Sequence, residues 1–169
     1  MPARVDFSTI NLMDTLDLAT LIEVEAFNRY TMFAEQIGSR LTDDAGAVFL
    51  SMAENEKKHA DELAARRTAL FGDTPARVTI DDIFDVEAPD VGAPRWNMSP
   101  YKAYRVALDS EKKAWAFYDR ALRSVTQTDV KALFEELRDE EAEHVRMIEE
   151  IIEKLPASAK ADLVDEDAE

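Results

Sequence analysis

The feature that most constrains this chain is a duplicated helical pattern in which acidic residues and histidines occupy steps of otherwise apolar stripes. Taken every three or four residues, the first stripe reads Leu12, Leu16, Ala19, Glu23, Phe27, Tyr30, Ala34, Ile37. The third reads Tyr104, Leu108, Glu111, Trp115, Tyr118, Leu122, Val125. The second and fourth read Phe49, Met52, Glu56, His59, Leu63, Leu70 and Phe134, Leu137, Glu141, His144, Ile148, Ile152, Leu155, with Arg66 a loose fit in the second. This spacing is that of amphipathic helices packed on a common core. The copies also keep register: Glu23 and Tyr30 match Glu111 and Tyr118, Ala26 matches Ala114, and Glu56-x-x-His59 matches Glu141-x-x-His144. A repeated hairpin of this kind is predicted to pair with its copy about a pseudo-twofold axis.

The punctuation agrees. Asn11 is placed to cap the first helix and Gly38 to stop it, Gly72 ends the second, and Ser99-Pro100 is a cap followed by proline at the first helical position. The predicted helices cover about 12–37, 44–71, 99–125 and 129–155. Residues 72–98 contain Pro75, Pro89, Pro94, Gly72 and Gly92 and hold no helical period, apart from a short helix near 80–86. A connection of that length in a compact domain implies a crossing between distant elements or a functional loop. The tail, 156–169, is acidic and predicted to fray. Only four glycines and 46% hydrophobic residues suit helix throughout. The expected fold is all-α: an antiparallel four-helix bundle, with one long crossover between its second and third helices, in a single domain of residues 1–169.

Ionised carboxylates inside such a bundle need compensation. Burying one unpaired costs on the order of several kcal/mol, and four close together also repel. Two divalent cations would balance Glu23, Glu56, Glu111 and Glu141, and the imidazoles of His59 and His144 would complete the donor set. Oxygen and imidazole donors suit iron or manganese, although zinc could occupy the same cage. Residues at i and i+3 share a helix face, so each glutamate of an E-x-x-H pair can bridge two metals while its histidine caps one. Glu140 competes with Glu141 by its distance from His144, but the repeat selects Glu141. Glu25, Glu54, Glu62, Glu143, Glu149 and Glu150 fall off the stripes and are expected in solvent. Tyr30 and Tyr118 read equally as core residues with a hydrogen-bond partner and as partners of ligand carboxylates that shuttle a proton. Phe27 and Trp115 read as packing.

Composition removes other classes of function. Twenty basic residues against 36 acidic ones leave a net charge of −16, which argues against nucleic acid and against anionic membrane. With no cysteine there is no disulfide, thiolate metal site or cysteine nucleophile. No apolar signal core opens the sequence and no run is long enough to span a bilayer, so the chain reads as soluble and cytoplasmic.

The segments EVEAFNRYTMFAEQ (23–36), MAENEKKHADEL (52–63), SEKKAWAFYDRAL (110–122) and LRDEEAEHVRMI (137–148) resemble the rubrerythrin group of the ferritin-like superfamily. The likeness covers all four predicted helices. It implies a ferritin-like bundle holding two iron ions, with manganese as a substitute and neither haem nor flavin. It further implies that Glu56 and Glu141 bridge the metals, with Glu23 and Glu111 as terminal carboxylates and His59 and His144 as terminal imidazoles. The implied activity is a di-iron oxidoreductase, a peroxidase or ferroxidase that reduces H2O2 or O2 or oxidises Fe(II), and a homodimer is the implied assembly. Two departures stand out. Rubrerythrins typically carry a rubredoxin-like tetracysteine iron module; without cysteine this chain has none, so any electrons are expected from a separate donor or from Fe(II) itself. They also typically carry a further glutamate where this chain has Ala114, which leaves a six-ligand set closer to that of bacterioferritin. The alternatives are an iron-binding, sensing or storage domain without efficient turnover, and a metal-free helical interaction module.

Overall fold

The computed structural model of the chain describes residues 5–37, 43–83 and 98–160. Its long helices are α1 (Leu12–Ile37), α2 (Asp43–Phe71), α3 (Pro100–Leu122) and α4 (Thr128–Lys154), and the described residues contain no strand. The caps are those expected: the Asn11 side chain accepts from the Asp14 amide at 2.9 Å, and Ser99 Oγ accepts from the Lys102 amide at 3.2 Å with Pro100 behind it. Gly72 closes α2 at φ +58°, a left-handed conformation that glycine adopts without strain.

Three features differ from expectation. First, α3 stops at Leu122 and not near 125, because the Arg123, Ser124 and Val125 amides turn back onto the Arg120 and Ala121 carbonyls. Second, the short helix predicted near 80–86 is a single 3-10 turn at Ile80–Ile83; positions 84–86, like the rest of the crossover to residue 97 and the Gly38 stop, lie outside the described residues. Third, the end of α2 turns Phe71, not Leu70, toward the core, leaving Leu70 exposed.

Contacts along the helices give their directions. Phe33 meets Phe49, Glu23 faces His59 and Asp17 pairs with Arg67, so α2 runs back along α1. Tyr118 meets Phe134 and Glu111 meets His144, so α4 runs back along α3. The hairpins pack α2 against α3 and α1 against α4, whereas among the described residues no Cα of α2 comes within 8 Å of one in α4, and side chains bridge the seam between them. Two apolar clusters result. One gathers Tyr30, Phe33, Phe49, Met52, Leu108 and Ile148; the other gathers Leu16, Ile22, Tyr118, Leu133, Phe134 and Leu137. The repeat relates them, and the polar residues of the stripes lie between.

Candidate metal centre

Each helix contributes from near its middle. Glu23 on α1 is flanked by Ala19 and Ala26, and Glu111 on α3 by Ala107 and Ala114, all fully buried. Methyl side chains one turn away on either side leave room for carboxylates where the helices face inward. Glu56 and His59 on α2, and Glu141 and His144 on α4, stand on successive turns of the same face. All four glutamates are buried to within 1% of their surface. The two histidines keep 15% and 13% of theirs exposed, with rings parallel to within 1° and centroids 5.1 Å apart across the α2–α4 seam.

The side chains form two overlapping trios. Glu23, Glu56 and His59 place donor atoms within 4.8 Å of one another, and so do Glu56, Glu111 and His144. Glu56 belongs to both. Glu111 is the most engaged carboxylate: Tyr30 Oη donates to its Oε1 at 3.2 Å, and its Oε2 is 3.0 Å from His144 Nδ1. Glu141 Oε2 lies 3.6 Å from the same nitrogen, and Glu23 Oε2 lies 3.7 Å from His59 Nδ1, both beyond hydrogen-bond reach. Both oxygens of Glu23, both of Glu56, Glu141 Oε2 and His59 Nδ1 are buried without a hydrogen bond. Orphaned buried polar atoms are rare, and here several converge on one point.

Their protonation follows from that burial. Glu23 is pushed up to about 7, chiefly by burial with help from the Glu111 charge; contact with Glu56 offsets part of the rise but is looser than a hydrogen bond, since no oxygen of either group meets that geometry. Burial lifts Glu56 and Glu141 well above the usual carboxyl range, and Glu111 raises both further. For His144 burial acts downward, but the hydrogen bond and charge of Glu111, with Glu56 and Glu23 behind it, carry it up to about 9. Its Nδ1–H is therefore a donor to Glu111 at neutral pH in the metal-free protein. Divalent cations would replace these protons and satisfy the orphaned oxygens together. The donor set therefore fits two oxygen- and nitrogen-ligated metal ions, with Glu56 placed to be shared between them.

The structure thus gathers Glu23, Glu56, His59, Glu111 and His144 into the trios and sets Glu141 beside His144, outside both. Tyr30 reaches the site through Glu111 across the bundle, while Tyr118 is fully buried with its ring against Phe117 and Phe134. Phe27 packs partly buried on the core, whereas Trp115 is 39% exposed at the edge of the α3 stripe, where it borders a surface pocket with Ala142, Val145 and Arg146 of α4. One group escaped the sequence reading. Arg66 reaches from α2 to Glu136 on α4 at 3.2 Å, beside a small cleft floored by His59. Its loose fit to the apolar stripe was the available signal.

Comparison with known proteins agrees with this geometry. The family model described as Rubrerythrin matches residues 14–152. An uncharacterised conserved protein from Magnetospirillum magnetotacticum MS-1 is similar in crystal structure, at 30% identity over 87% of this chain and 97% of that one, with a TM-score of 0.69. A hypothetical protein from Pyrococcus furiosus shares the fold at 21% identity, over 85% of this chain and 89% of that one, with a TM-score of 0.55. No curated protein matches the sequence.

Proposed function

Because the chain belongs to the rubrerythrin family, we propose that it is a di-iron oxidoreductase that reduces peroxide or O2, or oxidises Fe(II), between the four helices. The observation that carries this reading is the pair of trios sharing Glu56, built from buried carboxyl oxygens that have no protein partner. Glu23, Glu56 and His59 would hold one ion, and Glu56, Glu111 and His144 the other, with Glu141 completing the second from beside His144. Bound there, a pair of iron ions supplies one electron each to the oxidant.

The rest is the work of the chain. The two apolar clusters flank the site, and the low polarity they create strengthens each charge interaction inside. Tyr30 Oη holds Glu111 Oε1 in place and is positioned to hand a proton to that carboxylate when charge at the site changes. Tyr118 takes the equivalent position in the repeat. These 169 residues hold no cysteine, so electrons for turnover would come from outside them or from Fe(II) itself. Ala114 favours one second reading, iron binding without rapid turnover, since a buried methyl stands where rubrerythrins typically have a further carboxylate.

The test is anaerobic loading with Fe(II), metal counted per chain, followed by H2O2 with and without a supplied reductant. Two ions per chain and catalytic peroxide loss support the oxidoreductase. Two ions with a single round of oxidation support binding without turnover. Fewer than two ions, with no rise in thermal stability on loading, would reject the paired site and return the chain to the metal-free reading.

A further inference from the structure

Two clefts open along the α2–α4 seam, one toward each end, and the register of the repeat relates residues in their walls. Beside His59 lies a cleft of about 60 Å³ lined by Glu62, Arg66, Glu136 and Glu140 together with Leu63 and Leu137. In the register that pairs Glu56 with Glu141, those four polar residues correspond to Met147, Ile151, Ser51 and Asn55. All four of these line the cavity of about 500 Å³ at the other end of the seam. One opening has become charged and its counterpart uncharged. Their common ancestry in the repeat makes that divergence a feature to explain.

The charged opening leads somewhere. Glu62 and Glu136 are exposed, Glu140 is half-buried, and His59 forms the floor. Behind His59 stand Glu23 and Glu56, fully buried, with no hydrogen bond to any of their oxygens. Carboxylates therefore descend in steps of increasing burial from solvent to the candidate ligands. A cleft of this volume holds about two water molecules, so a hydrated cation must exchange water for carboxylate oxygen as it passes. Two basic groups border the mouth: Lys58, 3.9 Å from Glu62 on the solvent side, and Arg66, whose guanidinium spans the seam to Glu136 at 3.2 Å.

Resting on the metal-centre reading above, we propose that this cleft is the route by which divalent cations reach the buried site, with Glu62, Glu136 and Glu140 as transit ligands and the Arg66–Glu136 pair as its cover. The acidic walls concentrate cations at the mouth, and the ion pair must part for one to enter. The uncharged opening offers a cation no such series of oxygens.

The experiment is stopped-flow uptake of Co(II) by the full chain, read by its visible absorption, in wild type and three variants. Glu62→Gln with Glu140→Gln is expected to slow uptake about tenfold at low ionic strength, with the difference shrinking as salt screens the mouth. Arg66→Gln is expected to act oppositely and speed uptake several-fold. Glu54→Gln with Glu153→Gln removes the same charge from exposed sites elsewhere and should leave the rate unchanged. Final stoichiometry and equilibrium affinity should match wild type in all three. Equal rates in wild type and the Glu62/Glu140 variant would overturn the route, as would slowing by the control pair. Weakened equilibrium affinity would make Glu140 a ligand and overturn its transit role. If wild type itself takes up no cobalt, the metal-centre reading fails, and the route with it; if wild type fills and only the rates disagree, the route alone fails.

Discussion

Glu56 is the most demanding residue in the metal-free bundle, so replacing it should stabilise that state and remove the function. Both its oxygens are buried without a hydrogen bond, burial lifts its carboxyl well above the ordinary range, and the Glu111 and Glu23 charges add to the rise. An unsatisfied buried polar group costs about 1–3 kcal/mol by mutational measure. Glu56→Met removes that group and fills the space with a flexible apolar chain, at a packing cost of under about 1.5 kcal/mol. The expected net gain is about 1–2 kcal/mol, or about 2–8 °C in Tm for a chain of this length. Urea unfolding in EDTA at neutral pH reads it directly. The same variant should lose the stabilisation by Fe(II) or Mn(II) that wild type shows, about 2.7 kcal/mol at a hundredfold excess over Kd; a thioether does not replace a carboxylate for these ions. A variant less stable than wild type without metal, or one still stabilised by two ions, would refute the claim that Glu56 is held at a cost for a shared metal ligand.

Other outcomes follow from the same geometry. Without metal, stability should fall as pH rises: Glu23 moves from 4.5 to about 7 on folding and His144 from 6.5 to about 9, so the folded state holds protons the unfolded chain has released. The Glu23 share is fully present below its unfolded value and lost through about 7, an effect of about 3 kcal/mol, and the His144 share is lost through about 9. Denaturation midpoints in EDTA from about pH 5 to 9 test this, and a rising midpoint would contradict it. Metal affinity should climb over the same interval, because loading expels those protons; a pH indicator would register their release. His59→Ala and His144→Ala should each lower stoichiometry from two ions to one, since each histidine serves a single trio, as metal analysis after desalting would show. Tyr30→Phe should destabilise the metal-free protein by about 1.5–3 kcal/mol in chemical denaturation, by removing a buried hydrogen bond to a carboxylate.

Periodicity and local chemistry, which the sequence carries on its own, determined the four helices, their Asn11 and Ser99 caps, the hairpin repeat and the six polar residues turned inward. A helical stripe records which face of a helix is inward, and a cap depends only on neighbours in the chain. Neither records how far one helix slides or turns against another. That shift decided the pairings: Glu111 approaches His144 more closely than Glu141 does, Tyr30 reaches across to α3, and Glu56 belongs to both trios while Glu141 belongs to neither. It also set Arg66 of α2 against Glu136 of α4, a pairing that no stripe or cap records. These arrangements depend on side chains from separate helices filling one shared volume, and that volume exists only once the bundle has closed.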